Sequence, residues 1–111
     1  MKVFISQPMS GLSNEEIRRV RKKAQDDCCK MFNIDNVEVL DTWYEDFEEM
    51  YTNHFWCLGE AIKKLAYADL VWFVQGWENS RGCCVEMACV KAYNLPYVNC
   101  DNYDWRKYNE S

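Results

Sequence analysis

The segment Asp69-Leu70-Val71-Trp72-Phe73-Val74 constrains this chain most: five consecutive apolar side chains follow one acid. Neighbouring side chains of a strand point to opposite faces. A strand with no polar alternation must therefore be covered on both sides, as in a parallel sheet wrapped by helices. The run is far too short to cross a membrane. Lys2-Val3-Phe4-Ile5-Ser6, ended by Gln7-Pro8, has the same character and reads as the first strand.

Helical patterns alternate with these strands. Ser13-Asn14-Glu15-Glu16 has the form of a capping box, with Ser13 accepting from the Glu16 amide. Ile17, Val20, Ala24, Cys28 and Met31 follow at spacings of three and four, tracing one apolar stripe. Asn33 to Asn36 ends that helix, and Val37-Glu38-Val39-Leu40 reads as a second strand. A second helix is expected from about Asp46 to Tyr67, its inner stripe formed by Phe47, Tyr51, His54, Leu58, Ile62 and Leu65. The third helix runs from about Ser80 to Tyr93. Asn94-Leu95-Pro96 stops it, and Tyr97-Val98-Asn99-Cys100 is the fourth strand.

Strand–helix alternation of this kind predicts an α/β fold: a flavodoxin-like, Rossmann-like three-layer sandwich with a four-stranded parallel sheet in the order 2-1-3-4. With 111 residues the chain holds one domain, placed at residues 1–100, followed by a polar, aromatic tail at 101–111 carrying Tyr103, Trp105 and Tyr108. In such sheets ligands bind outside the carboxyl ends of the strands. Those ends are Ser6-Gln7-Pro8, Asp41-Thr42-Trp43, Gln75-Gly76-Trp77 and Cys100-Asp101.

A net charge of −5 argues against a nucleic-acid partner, which needs a basic face to neutralise phosphates. The dense basic run Arg18, Arg19, Arg21, Lys22, Lys23 is interleaved with acids and reads as a solvated helix face. Seven cysteines, odd in number and without a CxxC spacing, do not form a disulfide framework. Together with the lack of an export signal or membrane span, they point to reduced thiols in the cytoplasm. His54 and Cys57 are too few ligands for a metal site, and neither metal nor organic cofactor is expected.

The chemistry concentrates on the third helix. At about 100° per residue, Val85, Cys89, Tyr93, Val90 and Ala92 share one arc, and Glu86, the helix's only acid, falls inside it. A carboxylate facing a sheet is costly unless it is paired or working. Two readings stand: a catalytic or ligand-binding group, or a carboxylate paired at the domain edge, for example with Arg81. The loop ahead of the helix carries Gly76, Trp77, Ser80, Arg81 and Gly82. The helix start offers backbone amides to an anion, while the alternative is an ordinary cap. The first loop, with Ser6, Gln7, Pro8, Ser10 and Gly11, also leads small polar residues into a helix. Two such starts suit a polar ligand with phosphate or sugar hydroxyls, although no dinucleotide fingerprint or P-loop is present. His54 reads as a core or edge histidine or as a proton donor. Cys83 and Cys84, at a helix N-terminus, read as ordinary thiols or as a nucleophile with lowered pKa.

Ile5-Ser6-Gln7-Pro8-Met9-Ser10-Gly11, Ala68-Asp69-Leu70-Val71, Gly76-Trp77-Glu78-Asn79-Ser80-Arg81-Gly82-Cys83-Cys84-Val85-Glu86 and Ala92-Tyr93-Asn94-Leu95-Pro96 together resemble the small phage and bacterial proteins of the DUF4406 family. That family is similar to the nucleoside 2-deoxyribosyltransferases and the nucleoside 5′-monophosphate N-glycosidases. The resemblance implies that Glu86 is a nucleophile toward the anomeric carbon of a nucleoside or nucleotide. It implies that Ser80 and Arg81 hold a 5′-phosphate, and that Gln7, Ser10 and Trp77 hold sugar and base. It also implies a structural role for Asp69 and a homodimer or larger homo-oligomer. Ser80 stands where the deoxyribosyltransferases carry an acid and the monophosphate N-glycosidases a serine, which favours the 5′-monophosphate. Ala61 stands where the transferases carry another acid on the second helix. The first loop also lacks their aromatic residue. These departures keep open a second function, a non-catalytic module that senses or sequesters a nucleotide or an ADP-ribose-derived signal.

Overall fold

The structure, a computed structural model, describes residues 1–40, 42 and 54–102. In chain order it contains β1 (Lys2–Ser6), α1 (Asn14–Phe32), β2 (Glu38–Val39), α2 (His54–Leu65), β3 (Leu70–Phe73), α3 (Arg81–Ala92) and β4 (Tyr97–Asn99). Short 3-10 turns cover Trp77–Asn79 and Cys100–Asn102. The four strands form one sheet in the order β2-β1-β3-β4, and every pairing is parallel. The flavodoxin-like topology expected from the sequence is therefore the one observed. The outer strands are shorter than expected: Val37 and Leu40 lie outside β2, and Cys100 has left β4 for the 3-10 turn.

The apolar run does what its composition demands. Leu70 and Trp72 join Val3, Ile5 and Val98 on one face, where α1 adds Ala24 and Cys28. Val71 and Phe73 join Phe4 on the other, where α2 adds Leu65 and α3 adds Cys83, Met87 and Val90. All four residues of β3 are buried, and fully burying each such side chain contributes on the order of 2 kcal/mol. The result is three layers, with α1 on one side of the sheet and α2 and α3 on the other.

Local signals set the ends of α1. The Ser13 hydroxyl accepts from the Glu16 amide (3.1 Å) and donates to the Glu16 carboxylate (3.1 Å). Asn33 takes the left-handed conformation at the C-terminus (φ 53°) and returns its amide to the last carbonyls. Ion pairs Glu15–Arg19 and Lys22–Asp26 line the outer face as a solvated stripe, and Lys23 reaches in from it to a half-buried Asp27. Asp69 fastens the opposite end of the sheet from the strand exits, accepting from the Lys2 amide at 2.7 Å. This is the structural part expected of it.

The inward face of α3 differs from the expected arc. Cys83, Glu86, Met87 and Val90 are buried, whereas Val85 (39% exposed) and Tyr93 (80%) face outward. The helix is turned so that Glu86 lies within the buried face, and Met87 and Cys83 supply the contacts assigned to Val85 and Tyr93. Of the α2 stripe, Leu65 is buried and Leu58 and Ile62 are half-buried. Phe47, Tyr51 and the His54 side chain lie outside the described residues, as does the tail from Tyr103 on. None of the seven cysteines, all described, is bonded to another. Among the described residues no helix is long and apolar enough to cross a membrane.

Candidate functional site

β1 ends at Ser6, and the register sets Ser6 beside Phe73 at the end of β3. Ser6 is buried on the α3 side of this exit. Its hydroxyl donates to Glu86 Oε1 at 2.8 Å. Glu86 is 7% exposed, and this serine is the partner that holds it. Arg81 is exposed and makes no ion pair with Glu86, so the edge salt bridge considered from the sequence is not formed. Burial raises the Glu86 pKa from the ordinary 4.5 to about 7, and the Ser6 hydrogen bond offsets only part of that rise. A carboxyl group so placed exchanges its proton near neutrality, which suits a general acid or general base; as a nucleophile it would act in the ionised form that prevails above that pH.

Gln7 is also buried, but its amide is already engaged. Gln7 Nε2 donates to the Ile17 carbonyl (3.3 Å), and Gln7 Oε1 accepts from Arg21 Nη1 (3.1 Å). The other arm of that guanidinium, Nη2, donates to the Leu40 carbonyl just past β2 (3.1 Å). Arg21 thereby ties α1 to the exits of β1 and β2. Sequence reasoning placed it on the solvated face and missed this. The signal was present: Ile17, Arg21, Ala24 and Cys28 fall on one stripe, the same displaced-charge pattern that singled out Glu86. Pro8 and Met9 are half-buried, Ser10 and Gly11 are exposed, and a turn from Leu12 N to Met9 O (3.1 Å) closes the loop. Gly11 has φ 79°, which glycine adopts without strain.

Gly76, with φ 89°, lies in the loop after β3, just ahead of the 3-10 turn, and its amide donates to Asp101 Oδ1 (3.0 Å). Trp77 is not an open platform. It is 8% exposed, its ring packs 5.4 Å from Phe73, and its indole N–H donates to Asn99 Oδ1 (2.9 Å). The ring is a wall of the hydrophobic cluster, since Phe73 and the β4 exit capture it. Ser80 caps α3, its hydroxyl accepting from the Cys83 amide at 3.4 Å, and Arg81 occupies the first helical position. Gly82 is half-buried, with the Ser80 hydroxyl 3.9 Å from where a Cβ would stand, so the protein's own packing leaves room there.

Cys83 closes the group. Burial pushes its thiol up, against a smaller downward pull from the Ser6 and Ser80 hydroxyls, and the Glu86 charge adds to the rise. The lowered pKa considered for this position is therefore reversed, because desolvation outweighs the helix start. The fold thus brings together Ser6, Glu86, Cys83 and Ser80. It sets Gln7 behind them as a support and leaves Ser10, Gly11 and Arg81 at the exposed rim. Among the described residues no group of three or more His, Cys, Asp or Glu side chains is arranged to hold a metal ion.

No curated protein and no solved structure matches the chain. The family model described as a domain of unknown function, DUF4406, matches residues 1–99, which take in every strand and helix described above. With that match spanning nearly the whole sequence, the chain belongs to the DUF4406 family.

Proposed function

We propose that the protein cleaves the N-glycosidic bond of a nucleotide or nucleoside, preferring a 5′-monophosphate, with Glu86 as the nucleophile. The observation that carries this reading is the buried Glu86 carboxyl, held by a neutral hydroxyl at the carboxyl edge of a parallel sheet. Ser6 engages Oε1, which leaves Oε2 to attack. In the first step an Oε2–C1′ bond forms as the C1′–N bond breaks, and the base departs with the bonding pair and takes a proton from water. Water then attacks C1′ as the C1′–Oε2 bond breaks, gives its proton to the solvent, restores the carboxylate and releases the sugar phosphate; a second base that attacks with loss of its N–H proton gives transfer instead.

We assign the phosphate to the start of α3, where the first-turn amides, the Ser80 cap and the exposed Arg81 lie next to one another in sequence. The first-loop residues Ser10 and Gly11 stand at the rim for the sugar. Gln7, pinned by Arg21, shapes that loop from behind. This reaction calls for neither metal nor organic cofactor. A homodimer that completes the site, a cytoplasmic setting and a nucleotide-fold unit ending near Cys100 belong to the same proposal.

A second reading is a binding module without turnover. One observation favours it: Ala61, where the resembling transferases carry a further acid, packs against the apolar cluster of the α2–α3 face. Incubation with nucleoside 5′-monophosphates, nucleosides and NAD, with free base followed by chromatography, separates the two. Base released by the wild type and not by Glu86→Ala supports cleavage. Thermal stabilisation by one ligand without base release supports the binding module.

A further inference from the structure

Thr42 stands two residues beyond Leu40, whose amide bonds Val3 O (2.9 Å) just past β2. It is 8% exposed, and its hydroxyl oxygen is the one buried side-chain polar atom among the described residues without a hydrogen-bond partner. The other buried polar side chains at this edge are satisfied: Ser6 by Glu86, and Gln7 by Arg21 and Ile17. Folded proteins rarely bury a hydroxyl and leave it unused, because water would have bonded it.

Its position gives the orphan hydroxyl a meaning. The sheet order sets Thr42 at the exit of β2, Ser6 and Gln7 at the exit of β1, and the loop to Ser80 at the exit of β3. Three adjacent strand exits span about 10 Å. A ligand with its phosphate at Ser80 and its sugar over Glu86 and Ser6 therefore directs its remaining part toward β2. We propose that the Thr42 hydroxyl binds the hydrogen-bonding edge of the nucleotide's heterocyclic base. This rests on the nucleotide reading given above. A hydroxyl both donates and accepts, so it can serve a ring carbonyl, a ring nitrogen or an exocyclic amine.

The test is calorimetric binding of dAMP, dGMP, dCMP, dTMP and 2-deoxyribose 5-phosphate. The parent is Glu86→Gln, which does not consume ligand, and Thr42→Val and Thr42→Ser are added to it. Expected is a loss of about tenfold in affinity for at least one monophosphate with Thr42→Val, recovery with Thr42→Ser, unchanged binding of the base-free sugar phosphate, and no fall in melting temperature. Unchanged monophosphate affinity overturns the proposal, and so does an equal loss for the sugar phosphate. A melting temperature lowered by Thr42→Val also overturns it, since the hydroxyl then has a partner inside the protein. If the parent binds none of these monophosphates, the preference for a deoxynucleoside 5′-monophosphate falls and takes this proposal with it. A failure at Thr42 in a parent that binds leaves the nucleotide reading standing.

Discussion

Ser6 and Glu86, eighty positions apart in sequence, meet in a buried hydrogen bond of 2.8 Å that joins the end of β1 to the second turn of α3. A neutral hydroxyl stabilises a carboxylate far less than a cation does, and the surroundings are otherwise apolar on the sheet side. The proton on Glu86 is therefore held loosely enough to leave near neutrality and tightly enough to remain below it.

Stability should fall as pH rises. The folded-state pKa of Glu86, about 7, lies above its ordinary 4.5. Below pH 4.5 both states carry the proton and the group costs nothing. Through pH 7 and above, the folded state must hold a buried charge, a loss of about 3 kcal/mol. Chemical denaturation between pH 4.5 and 8.5 should show this decline in the wild type and a flatter profile in Glu86→Gln. If Glu86 is the nucleophile, base release should rise over the same range as the carboxylate forms.

Removing the hydroxyl sharpens the effect. Ser6→Ala should raise the Glu86 pKa further, because the hydrogen bond is what opposes desolvation. It should cost about 1–3 kcal/mol at pH 8.5, where the charge loses its donor, and less at pH 5. Carboxyl-carbon NMR titration of Glu86 reads the shift directly. A pKa that stays put would show that the bond contributes little.

Arg21→Ala should destabilise by about 2 kcal/mol, since it strands the buried Gln7 oxygen and the Leu40 carbonyl. Arg21→Lys should recover less than half, because an ammonium lacks the fork that serves both acceptors. Arg19→Ala, on an exposed ion pair of the same helix, should change stability by less than about 0.5 kcal/mol. Urea unfolding of the three variants gives the comparison.

Ser80 caps α3, and if the proposed 5′-phosphate binds at the same helix start the two roles can be separated there. Ser80→Ala should lose about 1 kcal/mol with the cap. Ser80→Asp should keep the stability, since aspartate caps well and suits the helix start, yet should repel a 5′-phosphate. Calorimetry with a nucleoside and its 5′-monophosphate should show the preference for the monophosphate lost in Ser80→Asp.

Why some of this was legible in the sequence and some was not follows from the physics of each position. The Leu70–Phe73 run requires cover on both faces whatever its surroundings, so the sheet could be read from it. Glu86 drew notice because a charge amid apolar neighbours is costly. The rotation of α3 was hidden, since Val85 and Tyr93 are as apolar as the Cys83 and Met87 that face inward. Arg21 was masked by neighbours of the same charge, which made a stripe residue look like part of the solvated face. Trp77 suggests a platform by its chemistry, but Phe73 and Asn99 decide where the ring goes, and both lie in other elements. The unpaired hydroxyl of Thr42 depends on what surrounds it in space and has no counterpart in a linear pattern.

Asn99 carries a consequence for motion. Its single side-chain oxygen accepts from the Trp77 indole (2.9 Å) and from the Asp101 amide (3.0 Å), while the Asp101 carboxylate holds the Gly76 amide. The loop ahead of α3 and the chain leaving β4 are thus strapped to each other. Whatever shifts Asn99 or Asp101 therefore shifts the loop that leads into α3 as well, so the exit of β4 and the start of α3 move as one piece.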